Sequence, residues 1–570
     1  TLYDCILSGN SAESDGGGAN ECTLYNCTLT NNYAKDDGGG ADEGTLYNCT
    51  VSGNIAVKNG GGTHRSIFHN CTLSGNSAGK CGGGADKGAL YNSTLTDNST
   101  RYDGGGANDC MLYNCTLNGN SAKEFGGGVA NSTNYNCIVY YNTSPNYPNY
   151  YNSTFNYSCT VPLPEGEGNI SDDPLFITSS HISSNSPCLG KGSSNYAIGV
   201  DIDGEQWLDP PAMGADEYIL GNATGEIVVS IDVNYTNIAT GFAILFIAQN
   251  RGPISAIVWD FGDGVVVSNK AYISHIWNTP GEYTVRLTGY NDSYPSGVSN
   301  TVIIKVVNRP VYYVNAESSF STYPYSSWET AAQTIQDAVD IAIPGGIVLV
   351  TNGIYNTGGK VVYGLITNRV AIDKPVIVQS VNGPTKTFIV GAEASAGGNG
   401  DDAVRCAYVG TNSFLSGFTL TNGHTSAIWN YDGNGGGASC ELSGVISNCV
   451  LIGNSAINDA GGVWGGIIYN CTLTGNSAND DGGGASGCIL YNCTVSNNYA
   501  YDEGGGTDEG TLYNCTLTRN YARNRGGGVN ECTLYNCILT ANSVFFEGGG
   551  SYYSTLYNCT LTGNSSENSG

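Results

Sequence analysis

Cysteine is the residue whose side chain and spacing first suggest chemistry in this chain. The sequence of 570 residues contains 21 cysteines, and most of them recur every 22 residues. Thiols can bind zinc, pair as disulfides or remain as small buried side chains. Ser93 occupies one position of the series without disturbing the pattern, which favours the last of these interpretations. The inward-facing series comprises Cys5, Cys27, Cys49, Cys71, Cys115, Cys137, Cys159, Cys449, Cys471, Cys493, Cys515, Cys537 and Cys559.

Four further cysteines lie five positions before members of this series. Both members of each pair should face inward, on either side of a corner in the backbone. Disulfides within one coil are therefore one reading if the compartment is oxidising, and free thiols are the other. A C-x4-C spacing without histidine or a second matched pair is poor evidence for zinc. The four pairs are Cys22 and Cys27, Cys110 and Cys115, Cys488 and Cys493, and Cys532 and Cys537.

The elements that position these residues follow from the repeat itself. Each unit reads T-L-Y-N-C-T-L-T-G-N-S-A, then a variable loop and G-G-G-A. A 22-residue unit is too short for a helix pair and fits one coil of a parallel β-helix, in which coils stack about 4.8 Å apart. Leu24 precedes Cys27 by three residues and Leu29 follows it by two. A bend at Asn26 allows all three to face inward and leaves Tyr25 facing outward.

Two further residue types repeat with the cysteines. Asparagine suits the bend because it tolerates left-handed backbone angles, and tyrosine forms an outward stripe. The stripe could pack a neighbouring subunit, bind sugar or only stabilise the sheet by stacking. The predicted Asn ladder is Asn26, Asn48, Asn70, Asn92, Asn114, Asn136, Asn448, Asn470, Asn492, Asn514, Asn536 and Asn558. The predicted stripe includes Tyr25, Tyr47, Tyr91, Tyr113, Tyr469, Tyr491, Tyr513, Tyr535 and Tyr557.

These motifs carry a family resemblance. The alternation of LTGN and GGGA resembles the FxxN and GGA[ILV] repeats of chlamydial polymorphic outer-membrane proteins and related bacterial right-handed β-helix adhesins. The resemblance covers roughly residues 1–160 and 400–570. It implies an all-β fold with a right-handed β-helix and a place at the cell surface, and says little about activity.

The regular period is interrupted by three different segments. Residues 161–220 contain DDPLF and MGADEY and resemble the choice-of-anchor Q segments that end bacterial surface β-helices; we expect a terminal cap, with a metal site at Asp201 and Asp203 as the alternative. Residues 221–308 contain WDFGDG and resemble the Ig-like PKD domain, where Asp260 and Asp263 form a turn or touch Ca²⁺. Residues 309–357 resemble the helix-bearing N-terminal cap of a β-helix.

The predicted architecture is therefore two β-helix blocks flanking a PKD β-sandwich. Residues 1–160 form the C-terminal part of one β-helix and residues 358–570 the N-terminal part of another. This order favours a segment of a tandem array, or a protomer, whose ends associate end to end.

Charge restricts the partners. The net charge of −28 disfavours nucleic acid and anionic membranes, which both require Lys and Arg. No run of eighteen apolar residues predicts membrane insertion. We expect no organic cofactor; Ca²⁺ is a candidate counter-ion for the acidic loops.

The sequence as a whole favours an extracellular structural or adhesive protein, a cell-surface fibre or filament whose partner is itself. A glycan-binding surface module is the first alternative, and the N-x-[ST] triplets that begin at ladder asparagines could accept glycans. A polysaccharide lyase or hydrolase is the second alternative, since β-helices often carry that chemistry, but it requires a non-repeating cluster. The one irregular coil, with His64, Arg65 and His69, is more typical of sequence drift than of a catalytic site.

Overall fold

A computed structural model describes residues 1–219, 223–362, 364–426 and 431–568. The chain is almost entirely β and forms two compact units. The first unit comprises Thr1–Thr236, Ala243–His275 and Glu282–Ile304, and the second comprises Asn237–Phe242, Ile276–Gly281 and Lys305–Gly570. The predicted boundary between residues 161–220 and 221–308 falls at 220–222, outside the described residues.

In the first unit the expected parallel β-helix is present. Strands of successive coils pair in parallel with a 22-residue shift, so that Leu24 lies beside Leu46. The first sheet holds Leu2–Tyr3, Thr23–Tyr25, Thr45–Tyr47, Ile67–His69, Ala89–Tyr91, Met111–Tyr113, Thr133–Tyr135 and Thr154–Asn156. The second holds Ile6–Ser8, Thr28–Thr30, Thr50–Ser52, Thr72–Ser74, Thr94–Thr96, Thr116–Asn118, Ile138–Val139 and Cys159–Thr160.

Two shorter sheets complete each coil. The third sheet holds Ser11–Ala12, Tyr33–Ala34, Ile55–Ala56, Ser77–Ala78, Ser99–Thr100 and Ser121–Ala122. The fourth holds Ala19–Asn20, Ala41–Asp42, Thr63–His64, Ala85–Asp86, Ala107–Asn108, Val129–Ala130 and Tyr150–Tyr151. The GGG triplets lie between these sheets. A Cβ added at Gly105 would overlap the carbonyl oxygens of Ser121 and Gly127 on the next coil, so only glycine permits this close stacking.

The predicted corner is present between the first two sheets. Asn26 has a φ of 52°, in the left-handed region, and its equivalents along both blocks share that conformation. Leu24, Cys27 and Leu29 are fully buried, and Tyr25 is half-buried on the outer side. Each buried leucine contributes about 1.5–3 kcal/mol to folding, and their stacking in every coil makes the core continuous along the block.

The second unit repeats this plan with longer first coils. Its first sheet holds Val311–Val314, Ile347–Val350, Ile377–Ser380, Phe414–Ser416, Val445–Ser447, Ile467–Tyr469, Ile489–Tyr491, Thr511–Tyr513, Thr533–Tyr535 and Thr555–Tyr557. Its second holds Gly353–Tyr355, Thr387–Val390, Thr419–Thr421, Val450–Ile452, Thr472–Thr474, Thr494–Ser496, Thr516–Thr518, Ile538–Thr540 and Thr560–Thr562.

The remaining strands of this block form two sheets, and short helices lie in its early coils. The third sheet holds Lys360–Val361, Thr367–Ile372, Val404–Val409, Ala438–Cys440, Val463–Trp464, Ala485–Ser486, Thr507–Asp508, Val529–Asn530 and Ser551–Tyr552. The fourth holds Ser455–Ala456, Ser477–Ala478, Tyr499–Ala500, Tyr521–Ala522, Ser543–Val544 and Ser565–Ser566. The helices are the 3-10 turns Trp328–Thr330 and Tyr431–Gly433 and the α-helix Ile335–Ile341.

The α-helix lies within residues 309–357, the segment expected to carry a helix. Thr334 caps its N-terminus by accepting a hydrogen bond from the Asp337 backbone N–H at 3.1 Å. Ile335, Ala338 and Val339 are buried in the core cluster that runs through the first coils of this block. The helix thereby covers apolar surface next to the terminal strand of the first sheet, as solenoid ends require.

The strands attributed to the Ig-like domain are Val228–Val233, Asn237–Ala239, Ala243–Arg251, Ala256–Asp260, Val266–Ser268, Tyr272–Ile276, Gly281–Asn291 and Tyr294–Val307. In the first unit Val228–Val233 pairs antiparallel with Ala243–Arg251, and Ala256–Asp260 pairs antiparallel with both of its neighbours. Trp259, the first residue of the WDFGDG motif, is fully buried.

Candidate functional site

The cysteine series forms a hydrogen-bonded ladder inside the β-helix. The Sγ of Cys71 accepts the backbone N–H of Cys49 at 3.3 Å and donates to the His69 carbonyl oxygen at 3.3 Å. Burial raises the pKa of the Cys71 thiol well above its usual range, so the thiol stays neutral. Ser93 makes the same two bonds with its Oγ, at 3.1 and 2.8 Å. The cysteines are thus hydrogen-bonding partners for the backbone and more than small apolar residues.

The structure joins none of the four cysteine pairs that could form disulfides. All 21 cysteines lie in the described part of the chain and are free thiols. In the pair Cys110 and Cys115, each sulfur bonds to backbone within its own stack: Cys110 donates to Asn108 at 3.1 Å, and Cys115 donates to Tyr113 at 3.3 Å. The sulfurs of this pair thus bond to the backbone carbonyl oxygens of two different residues.

A second asparagine ladder, ten residues into each repeat, is internal. The side chain of Asn498 accepts two hydrogen bonds from Asn476, from the backbone N–H and the side-chain amide, both at 3.0 Å. It donates to the Leu473 carbonyl oxygen and to Asn520, again at 3.0 Å. This ladder satisfies backbone groups that the turn would otherwise leave buried and unpaired.

The corner asparagine ladder of the first block binds a segment of the same chain. Asn136 donates to the Ser193 carbonyl oxygen at 2.9 Å, and Asn114 donates to that of Tyr196 at 2.8 Å. Further along, the Asn92 amide lies 2.7 Å from two carbonyl oxygens, and Asn70 donates to the Asp201 oxygen at 3.1 Å. Residues 193–201 therefore run along the outside of the coils, antiparallel to their order.

Sequence reasoning treated residues 161–220 as an end cap, and only the first part acts in this way. Ile170 pairs in parallel with Cys159, which extends the last coil. Beyond it, Phe176, Ile182 and Met213 are buried against Ile138 of the second sheet. The segment thus covers the side of the block as well as its last coil. No sequence signal indicated this path.

In the second block the same corner ladder is exposed. Asn470, Asn492, Asn514, Asn536 and Asn558 have the conformation of their first-block equivalents, with φ between 51° and 55°. Each of the last four donates to the asparagine of the preceding coil, as Asn492 does to Asn470 at 3.3 Å. The two ladders are chemically alike, and they differ because a peptide covers part of the first one, from Asn70 to Asn136, while Asn26 and Asn48 are exposed.

The tyrosine stripe is a continuous face-to-face stack. The rings of Tyr25 and Tyr47 lie 4.8 Å apart with a 6° angle between planes, and those of Tyr491 and Tyr513 lie 4.8 Å apart at 7°. His69 occupies a tyrosine position, 4.9 Å from the Tyr47 ring. Because neighbouring rings cover each other's faces, the stripe presents ring edges and hydroxyl groups outward. Sugar stacking on ring faces, the usual aromatic mode, is therefore restricted along the stripe.

A buried histidine joins the acidic residues predicted in the cap segment. His181 Nε2 lies 2.7 Å from Asp203 Oδ2 and 3.9 Å from Asp216 Oδ1. Burial alone would lower the pKa of His181, but attraction to the two carboxylates outweighs burial and raises that pKa to about 10. Burial raises the pKa of Asp216 to about 7, against the opposing effect of His181. The three residues could together ligate a divalent metal, and they also satisfy one another as an ion pair.

Asp201 bonds to the backbone of its own segment. Its Oδ1 accepts the backbone N–H groups of Asp203 and Glu205 at 3.0 and 2.7 Å, and its Oδ2 accepts that of Glu217 at 3.0 Å. It therefore organises the turn that presents Asp203. Sequence reasoning missed His181, because a single histidine in SSHIS carries no spacing signal.

The acidic pair of the Ig-like domain forms a turn. Asp260 Oδ1 accepts the Gly262 N–H at 2.9 Å, and Asp263 Oδ1 accepts the Val265 N–H at 3.1 Å. Asp263 Oδ2 also lies 2.8 Å from His275 Nε2. Both carboxylates are thus used locally, in agreement with the structural reading of the motif.

A second acidic cluster occurs on the loops of the second block. Asp459, Asp480 and Asp481 have carboxylate oxygens within 4.8 Å of one another. Burial raises the pKa of Asp481 to about 9 and that of Asp459 to about 6. Nearby, burial raises the pKa of Asp508 to about 8. Oxygen ligands of this kind suit Ca²⁺. Without a cation, the carboxylates repel one another at high pH because their like charges lie close together.

The irregular coil is also accounted for by neighbouring acids. His64 is buried, with Nδ1 2.7 Å from Asp42 and Nε2 3.6 Å from Asp86, which lie one coil before and one after. Arg65 pairs with Glu43 at 3.2 Å. The imidazole therefore occupies the gap between stacked carboxylates, and this arrangement offers no open position for a substrate.

Within the described residues no helix is both long and apolar enough to cross a membrane. Residues 228–306 match the family model described as PKD domain. Human polycystin-1 is 34% identical over 105 residues, which are 17% of this chain and 2% of that protein. The chain thus spans a very small part of this relative.

Solved structures with some likeness carry polysaccharide-related names. A rhamnogalacturonan lyase matches with a TM-score of 0.28 and 14% identity, covering 43% of this chain and 74% of that one. A PL6 family alginate lyase, AlyGC, matches with a TM-score of 0.24 and 10% identity over 96% and 79% of the two chains. At these TM-scores the likeness carries no argument about activity. The chain therefore carries a PKD domain that stands, in sequence, between two parallel β-helix blocks.

Proposed function

We propose that this chain is an extracellular structural or adhesive protein in which the β-helix blocks supply length and stiffness and the PKD domain is a spacer. One observation carries the proposal: each repeated polar position forms an axial ladder that stiffens the stack. The corner asparagines, internal asparagines, cysteines and tyrosines all bond or stack with the next coil. Because each coil makes these contacts with the coils before and after it, the stack is expected to be a rigid rod.

The PKD match supports the location at a cell surface, since PKD domains resemble spacers of surface proteins. The specific likeness to bacterial β-helix adhesins and to choice-of-anchor segments belongs to the same proposal. Self-association of the chain, end to end or laterally, is the proposed mode of assembly. Calcium at Asp459, Asp480 and Asp481 is the proposed counter-ion.

Glycan binding is the second candidate, favoured by one observation. The tyrosine stripe exposes a row of hydroxyl groups; Tyr557 is 51% exposed and Tyr469 is 36% exposed. Hydroxyl edges spaced by about one coil could bond to successive sugars of an extended chain. Polysaccharide cleavage is less well supported, because the His181 and His64 clusters found among the described residues are internally paired.

The proposal is tested on the purified chain with three parallel measurements. Electron microscopy should show stiff rods or filaments of the native material. A glycan array and a reducing-end assay with pectins and alginates test the two alternatives. Saturable binding to one sugar that is lost in Tyr513→Ser would favour the glycan module. Release of oligosaccharides, absent in a His181→Gln variant, would instead require an enzyme and overturn the structural role.

A further inference from the structure

The corner ladder of the first block shows how this repeat recognises a peptide. All its contacts with residues 193–201 are made to the peptide backbone. Asn136 both donates to the Ser193 carbonyl oxygen at 2.9 Å and accepts the Ser193 N–H at 2.7 Å. Asn114 and Asn136 are fully buried beneath the segment. Recognition therefore needs an extended backbone in the right register and few particular side chains.

One side chain of the segment adds an aromatic contact. The ring of Tyr196 lies 4.3 Å from that of Tyr135 at an angle of 26°, and 6.4 Å from the rings of Tyr113 and Tyr157. The next coil has Asn156 at the equivalent position. Tyr196 thus lies beside the end of the tyrosine stripe, and this contact adds to the hydrogen bonds that hold the segment on the ladder.

The second block offers the same donors without a covering peptide. Asn492 and Asn514 are exposed, and each uses its side-chain nitrogen on the preceding coil at 3.3 Å. A side-chain amide nitrogen carries two hydrogens. In the first block Asn114 uses both, on Asn92 at 3.0 Å and on the Tyr196 oxygen at 2.8 Å. Each of these exposed asparagines therefore has a second amide hydrogen of the kind that Asn114 donates to a peptide carbonyl.

We propose that the exposed corner ladder Asn470–Asn558 is a docking strip for an extended peptide, and that its occupant is the 193–201 segment of a second copy of this chain. The two blocks share the repeat, the left-handed corner and the coil spacing, so the second block presents to a peptide the same kind of surface as the first. Within one chain the segment is held by the first block. Exchange to another copy replaces the contacts with equivalent ones, so it costs little free energy.

The inference deepens the proposed structural role, because it names a contact through which copies join side by side. The lateral contact between copies has a biological purpose only if the proposed structural role is correct. A chain that forms no rods could still bind the peptide, and a rod-forming chain could fail to bind it. The two proposals therefore fail separately.

The experiment uses a synthetic peptide of residues 190–203, labelled at its N-terminus, and the full chain. Fluorescence anisotropy should show saturable binding of one peptide per chain. In Asn492→Asp with Asn514→Asp, binding should weaken at least about tenfold, because a carboxylate accepts hydrogen bonds but donates none. Aspartate keeps the left-handed corner: Asp4 occupies a ladder position with φ 54° and accepts from Asn26.

The matched control makes the same change at Asn26 and Asn48, two exposed first-block asparagines that are too few to replace the four that hold residues 193–201. This variant should bind as the unaltered chain does, and circular dichroism should show both variants folded. In sedimentation, excess peptide should shift associated copies toward monomer. The inference is overturned if the unaltered chain shows no saturation, if the second-block variant binds equally well, or if the control weakens as much.

Discussion

Replacing Cys71 by alanine should destabilise the coil that precedes it far more than replacing Cys71 by serine. The sulfur accepts the buried Cys49 N–H at 3.3 Å. Leaving that N–H buried without an acceptor lowers the free energy of unfolding by about 1–3 kcal/mol. The void left by the sulfur lowers it by about 1 kcal/mol more. Alanine should therefore cost about 2–4 kcal/mol in the free energy of unfolding.

Serine should cost about 0–1 kcal/mol, because it restores the acceptor while giving up some apolar burial. The chain contains the precedent: Ser93 accepts the Cys71 N–H at 3.1 Å and donates to the Tyr91 oxygen at 2.8 Å. The expected difference between the two variants is about 2 kcal/mol, which corresponds to about a 30-fold difference in an opening equilibrium.

Amide hydrogen exchange is the suitable assay, because unfolding of a chain with two units need not be two-state. A peptide spanning residues 45–52 should exchange about 30-fold faster in the alanine variant than in the serine variant. A peptide from residues 511–518 of the second block serves as the internal control and should be unchanged. Equal exchange in the two variants would refute the hydrogen-bonding role and restore the view that Cys71 is a small apolar residue.

Three further predictions concern the internal asparagine ladder, the glycine triplets and His181. Asn498→Ala should lower the free energy of unfolding by about 3–5 kcal/mol, because the Asn476 N–H and the Leu473 carbonyl oxygen lose their hydrogen bonds. The denaturant midpoint of the second block measures this loss. Gly483→Ala should prevent close coil stacking, because the added Cβ would overlap the backbone of the next coil. Gly475→Ala has open space around the added Cβ and should cost only about 1 kcal/mol of left-handed backbone strain. The first variant should therefore lose protease resistance and the second should keep it. Because the folded pKa of His181, about 10, lies above its unfolded value, its stabilisation is complete below about pH 6.5 and is lost as pH rises toward 10. Hydrogen exchange of residues 177–217 should therefore rise, beyond its intrinsic increase, across that range in the unaltered chain, and His181→Gln should remove the His181 part of this dependence and leave that of Asp216, whose pKa burial raises to about 7.

Much of the architecture could be predicted because every ladder contact joins residues separated by one repeat. The position of Asn26 between Leu24 and Cys27 requires a corner, and the structure places Asn26 in the left-handed region there. The helix Ile335–Ile341 and the buried Trp259 could also be predicted, since local patterns define both. In each case the information needed lies within a short window or recurs at a fixed interval.

The candidate sites were predicted less completely, because they depend on contacts that no period records. Asp203 was identified, but its partner His181 was not, and Asp201 bonds to backbone. Cys110 and Cys115 are five residues apart, yet the Cys110 sulfur accepts from Gly88 and the Cys115 thiol donates to Leu90, each on the preceding coil. Inward orientation alone does not bring two sulfurs together.

The sequence by itself determined the coil: its length, its corner, its inward leucines and cysteines and the identity of every ladder. Tertiary structure decided which ladder is covered. The corner asparagines of both blocks have the same local sequence and the same backbone conformation, yet Asn114 is buried under residues 193–201 and Asn514 is exposed. The physical reason is the sequence separation of the contacts. Stacking joins residues one coil apart, whereas Tyr196 of the covering segment lies 82 residues from Asn114 along the chain and reaches it only through the folded path of the cap.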